Sequence, residues 1–197
     1  MEDKILEKEN KLIQFLENNK KKILFIAIVI VTIIIVFFTN TKIQKNNNLQ
    51  ISEEFNKAKV LLDQKNLEES KNLLIKIINK KNKFYSPLSL NIIIEKNLVK
   101  NKNDIKNYYN TILSIKSLEN ENKNLLRYKK GLYLIKIGDD QDALDLLNQI
   151  ANSESFWKNS SLRILRAYYM NKGKKNKVSE YDNLLKKKIV NINEKNN

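Results

Sequence analysis

Residues Ile23 to Phe38 form an apolar run interrupted only by the hydroxyl of Thr32, set between Lys20, Lys21 and Lys22 on one side and the polar stretch from Thr39 on the other. As a helix rising about 1.5 Å per residue the run is roughly 24 Å long, slightly short of a hydrocarbon core of about 30 Å. The three lysines mark the membrane boundary: their stems lie along the apolar surface while the ammonium groups stay among the headgroups, and Thr39 extends the far end. Residues 23–39 therefore read as a transmembrane helix. A buried core helix would keep a polar stripe, and this run has none at any helical angle. A cleaved signal peptide would end in small residues of the A-x-A kind, whereas "FFTNTKIQK" follows here.

Lysine bias sets the expected orientation. Lys4, Lys8, Lys11 and Lys20 to Lys22 precede the run, against Lys42, Lys45 and Lys57 in the comparable window after it. By the positive-inside rule the N-terminus is cytoplasmic and the residues after Thr39 lie on the other side.

The chain contains no cysteine and no histidine. Disulfides, a thiol nucleophile, an imidazole base and zinc coordination are thereby removed from consideration. The formal net charge of +15 raises nucleic acid or an anionic membrane as partners. Only Arg127, Arg163 and Arg166 are arginine, and the lysines alternate with acids along every segment, as on solvated helix faces. No nucleic-acid partner is expected.

From Ile51 onward there are one proline and three glycines, and apolar residues recur at spacings of three and four. An all-α domain follows, with breaks near Gln64–Asn66, Lys80–Pro87, Lys100–Asn103, Leu118–Asn122, Gly138–Asp139, Ser153–Ser155 and Lys172–Lys174. "KAKVLLDQKNLEESKNLLIKII" from Lys57 aligns without a gap on "KGLYLIKIGDDQDALDLLNQI" from Lys130, one residue shorter at its end, a displacement of 73 residues that carries Ala58 to Gly131 and Ser70 to Ala143. Leu61, Leu74 and Ile77 fall on Leu134, Leu147 and Ile150. Two small residues twelve apart, separated by a polar turn and followed by an apolar pair, make the tetratricopeptide (TPR) pattern. Ala58, Ser70, Gly131 and Ala143 are the expected repeat-packing residues, placed where the helices of a hairpin cross. Ser86–Ser117 and Phe156–Val190 read as degenerate repeats. The alternative at this point is a generic helical bundle.

The expected organisation is a cytoplasmic amphipathic tail (1–22, with Ile5, Leu12 and Leu16 on one face), a transmembrane helix (23–39), a polar linker acting as a hinge (40–50), a TPR-like solenoid of about four hairpins (51–190) and a disordered tail (191–197). Acid groups at Glu53/Glu54, Glu68/Glu69 and Asp139/Asp140/Asp142 read as helix-start residues rather than catalytic pairs. No phosphate loop or nucleophile motif occurs, so no enzyme activity, metal or cofactor is expected. "SESFWKNSSLRILRAYYMNKGKK" concentrates the single tryptophan, two arginines and a tyrosine pair. Phe156, Leu162, Leu165 and Tyr169 fall at core spacing. That leaves Trp157, Arg163, Arg166 and Tyr168 as partner-binding residues, the types that carry interface energy.

A basic apolar segment, "FLENNKKKILFIAIVIVT", followed by "LRYKKGLYLIKIGDDQDALDLLNQIANSESFWKNSSLRILRAYYMNKGK", resembles the bacterial ancillary SecYEG translocon subunit family (YfgM-like) over nearly the whole chain. The resemblance is most specific at Gly138/Asp139, Ala143–Leu144, Phe156–Trp157 and Gly173; Lys174 departs from it, since the family often has an acid there. It implies a non-enzymatic, single-pass inner-membrane protein with a periplasmic domain, working beside Sec translocon components and a membrane-anchored periplasmic chaperone. A structural adaptor of another envelope assembly and a membrane-tethered nucleic-acid binder are the competing classes. Oligomeric state is left open.

Overall fold

No glycine or proline lies between Glu2 and Asp63, and in the computed structural model one helix, α1 (Glu2–Asp63), occupies the whole interval. The structure describes the backbone of residues 2–193, and side chains of residues 19–22, 24–25, 28–39 and 41–186. The polar segment 40–50 is helical, so the expected hinge is not a break in secondary structure. Its Asn, Lys and Gln residues have only moderate helix propensity but no steric bar to it. Just before and within it, the hydroxyls of Thr39 and Thr41 donate to the carbonyls of Ile35 and Phe37 at 2.7 and 2.9 Å, so neither competes with the helix. The Ile5, Leu12 and Leu16 face lies outside the described side chains.

The chain divides into two compact units, residues 1–50 and 51–197. In the first, the described part of α1 contains a window long and apolar enough to cross a membrane, with none of it buried. Leu24, Phe25 and the apolar residues from Ile28 to Phe38 all present their side chains outward, and Lys20 to Lys22 are exposed at the run's start.

The second unit is all-helical among its described residues. The end of α1 is followed by α2 (Leu67–Asn79), α3 (Tyr85–Glu95), α4 (Lys102–Leu113), α5 (Asn120–Ile137), α6 (Asp140–Ala151), α7 (Lys158–Asn171) and α8 (Lys175–Asn193). α3 starts ahead of Pro87, since a proline in the first turn has no carbonyl partner to lose. Asn66 caps α2: its Oδ1 accepts from the Glu69 amide and its Nδ2 donates to the Glu69 carboxylate, which places Glu68 and Glu69 in the first turn. Glu53 and Glu54 are not at a helix start, because α1 passes through them. Glu54 instead accepts from Lys76 of α2 and from Lys80, which follows it, at 3.0 and 2.7 Å. Burial pushes its carboxyl up, and the hydrogen bonds from Lys80 and Lys76 outweigh this and hold it below the usual value. α8 continues past Val190 to Asn193. The last four residues of the expected tail lie outside the described residues.

Neighbouring helices pack in chain order, as four hairpins: the end of α1 with α2, α3 with α4, α5 with α6, and α7 with α8. Each hairpin turns with the same pair of backbone hydrogen bonds. Lys65 and Asn66 donate to Leu62 and Leu61; Asn97 and Leu98 to Ile94 and Ile93; Gly138 and Asp139 to Ile135 and Leu134; Gly173 and Lys174 to Met170 and Tyr169. The first residue of each pair has positive φ (62°, 50°, 83° and 68°). This is the Schellman closure of a helix C-terminus.

That repeated turn fixes equivalent positions. Three residues before the inner acceptor carbonyl stand Ala58, Leu90, Gly131 and Arg166. In the first and third hairpins this site is small, as expected, and faces the other small residue: Ser70 Oγ donates to Ala58 O at 2.8 Å, and a Cβ added at Gly131 would lie 3.0 Å from Leu147 Cγ and 3.6 Å from Ala143 O. Ala58, Ser70 and Ala143 are fully buried. The second hairpin uses buried Leu90 and Ile105 instead. In the fourth, Arg166 takes the place and pairs with Asp182, at the position that Leu74, Tyr109 and Leu147 occupy in the other three. One apolar cluster runs from Ile51 to Leu126, and a second joins Leu147, Ala151, Leu162, Leu165 and Tyr181.

Candidate functional site

The four residues singled out for partner binding sit on or next to α7, and three of them are engaged within the domain. Trp157 precedes α7, half-buried, with its ring stacked on Tyr128 of α5 at a centroid distance of 5.5 Å. It ties the fourth hairpin to the third. Arg166 is held by Asp182 across the α7/α8 crossing. Tyr168 donates its hydroxyl to Asp140 Oδ2 at 2.7 Å, while Lys172 pairs with the same carboxylate at 3.2 Å and lies 5.3 Å from the Tyr168 ring centre.

This small network has consistent electrostatics. Hydrogen bonds from Tyr168 and then Lys172 hold the Asp140 carboxyl below its ordinary value. The bond to Asp140 raises both the Tyr168 phenol and the Lys172 ammonium. Each partner favours the charge state that the others need, so the network is a clip between α6 and the end of α7. Arg163 alone of the four is exposed. The proposed patch is thus dispersed: its residue types are those of interfaces, but their contacts are mostly internal.

Phe156, expected in the core, is 90% exposed. The helical spacing that placed it inside fails because α7 begins only at Lys158, so Phe156 lies in the connection, where the helical period does not apply. Its backbone is held nonetheless. Glu121 Oε2 accepts from Ser155 Oγ at 2.9 Å and from the Phe156 amide at 3.1 Å. A second exposed aromatic, Phe84, precedes α3. Asn82 Oδ1 accepts from the amides of Phe84 and Tyr85, both at 2.9 Å. Sequence reasoning missed Phe84; the signal available was an aromatic beside an Asn-x-x turn start in "NKFYSP".

The first helices of successive hairpins touch through polar and aromatic side chains. Tyr85 Oη donates to Ser52 Oγ at 2.8 Å, Lys129 Nζ to Asn91 Oδ1 at 3.2 Å, and Tyr128 stacks on Trp157. Among the described residues no group of three acidic, His or Cys side chains is placed to hold a metal ion. No family model matches the chain, and no curated protein or solved structure matches it.

Proposed function

We propose that this chain is a membrane-anchored, non-enzymatic scaffold of TPR type, which binds protein partners through its 51–190 domain. The observation that carries the reading is the hairpin turn repeated four times with the same two hydrogen bonds and a positive φ at the same place. Hairpins built alike and packed in chain order form a solenoid, whose extended face suits protein recognition. The small-residue crossings at Ala58/Ser70 and Gly131/Ala143 are what a TPR unit requires. Residues 23–39 anchor it, with the N-terminus cytoplasmic and the domain on the periplasmic side of a bacterial inner membrane. The partners in this reading are Sec translocon components and a membrane-anchored periplasmic chaperone, which the resemblance to the YfgM-like family suggests.

Two experiments test this. Alkaline phosphatase fused after Asn197 should be active; an inactive fusion, with a cytoplasmic reporter active at the same place, would reverse the topology and remove the Sec-face assignment. Photo-crosslinkers at Arg163 and Leu132, both outward on first helices, should give adducts with Sec components or a periplasmic chaperone in living cells. Adducts confined to crosslinkers within 23–39 would assign the contact to the anchor instead.

A further inference from the structure

We propose that one edge of the 51–197 unit docks on the headgroup region of an anionic bilayer, with Phe84 and Phe156 inserting at the interface; this rests on reading 23–39 as a membrane span. Short connections between packed neighbours make successive helices antiparallel, so the connections fall on two opposite edges. The four hairpin turns, at Lys65, Asn97, Gly138 and Gly173, make one edge. The connections between hairpins make the other, and Phe84 and Phe156, 61% and 90% exposed, both stand there. A phenyl group left in water forfeits the burial that drives folding, and an interface that is apolar below and polar above accommodates it.

Three further observations favour a bilayer as the occupant. The aromatic edge is the one where the chain enters the unit: Tyr85 bonds Ser52 and Lys80 bonds Glu54, both at the start of the unit's share of α1. Only residues 40–50 separate this entry from the span along the chain. Lys81, Lys83 and Lys116 are exposed on the same edge, beside Glu119 and Glu154, and lysines near a surface are drawn to anionic lipid. Lysines also line the hairpin-turn edge, at Lys65 and Lys174, so charge alone does not choose between the two. The turn edge also exposes apolar side chains, Leu67 and Met170, but these are aliphatic; the exposed aromatic pair distinguishes the other edge, and both rings are presented on backbone pinned by a side-chain acceptor.

The chain's lack of cysteine allows single labels on the full-length protein. Spin labels at Lys83→Cys and Glu154→Cys, next to the phenylalanines, are compared with Lys65→Cys and Lys174→Cys on the opposite edge and Ile33→Cys in the span. The protein is reconstituted into zwitterionic vesicles with and without an anionic phospholipid, and collisions with a water-soluble nickel chelate and with oxygen are measured. Labels at 83 and 154 should lose nickel collisions severalfold relative to 65 and 174 when anionic lipid is present. Adding Phe84→Ser and Phe156→Ser together should abolish that protection. Equal access at both edges with a shielded label at 33 would sink the docking while leaving the span intact, and a water-accessible label at 33 would sink both. Protection that persists in detergent and grows with protein concentration would assign the edge to a second copy or another protein, and would also overturn the proposal.

Discussion

Hairpins α5/α6 and α7/α8 turn with identical backbone hydrogen bonds, yet they fill the matching crossing site differently. In the first, Leu147 packs so close to Gly131 that a Cβ there would lie 3.0 Å from Leu147 Cγ. In the second, the same two sites are an arginine and an aspartate, each about a third exposed. The turn is therefore a property of helix termination, independent of what fills the crossing behind it. One site is apolar in α5/α6 and ionic in α7/α8 at constant turn geometry, while Tyr181 of α8 still packs with Leu162 and Leu165 of α7; α7/α8 is also the hairpin with no successor to cover it among the described residues.

The comparison predicts a gradient of mutational effects, measured by denaturant melts of the full chain in detergent. Leu147→Ala should be the most damaging, about 2–5 kcal/mol, because Leu147 is fully buried and fills the space against Gly131. Ala143→Phe should cost about 1–3 kcal/mol by overpacking the same crossing. A neutral Ala143→Phe would show that the α5/α6 crossing is not close-packed and erase the contrast. Arg166→Ala, at the matching place in the last hairpin, should cost less than about 1 kcal/mol, since its partner is screened by solvent. A loss as large as that of Leu147→Ala would make the ion pair equivalent to an apolar crossing.

The smallest effect sharpens the same contrast through pH. The Asp140 carboxyl is held below its ordinary value by Tyr168 and Lys172, so its contribution is fully present above the unfolded carboxylate value of about 4. It is lost as pH falls through the depressed folded value. Wild type should therefore exceed Asp140→Asn in stability at neutral pH, with the gap closing in acid. A gap that widens on acidification would contradict the assignment of the clip.

Helix positions and the Ala58/Ser70 and Gly131/Ala143 crossings were legible in the residues because small side chains at a fixed spacing and 3.6-residue periodicity are local signals. The turns were legible only at Gly138 and Gly173. Lys65 and Asn97 adopt the same positive φ without being glycine, so no residue type announced them, and the register of the second hairpin stayed hidden. The polar composition of residues 40–50 suggests a break, but no glycine or proline there stops a helix, and α1 runs through. The internal contacts of the binding patch were hidden for a different reason: Trp157, Arg166 and Tyr168 have partners 16 to 29 residues away along the chain. No local pattern reports whether an interface-type residue has been spent on the protein's own packing.

The hydrogen-bonded turns also bear on how the domain answers mechanical load. Since helices meet mainly their chain neighbours, tension applied at the C-terminus acts on one hairpin at a time, and α7/α8, with an ion pair at the site that is apolar in α5/α6 beside the Tyr169–Tyr181 stack, is the first in line. Optical-tweezer traces should show it extending at lower force than the α5/α6 hairpin, in a separate step. A single all-or-none rip would mean that Trp157 on Tyr128 couples the last two hairpins more tightly than the crossing separates them, and the domain would then behave under load as a clasp that opens whole.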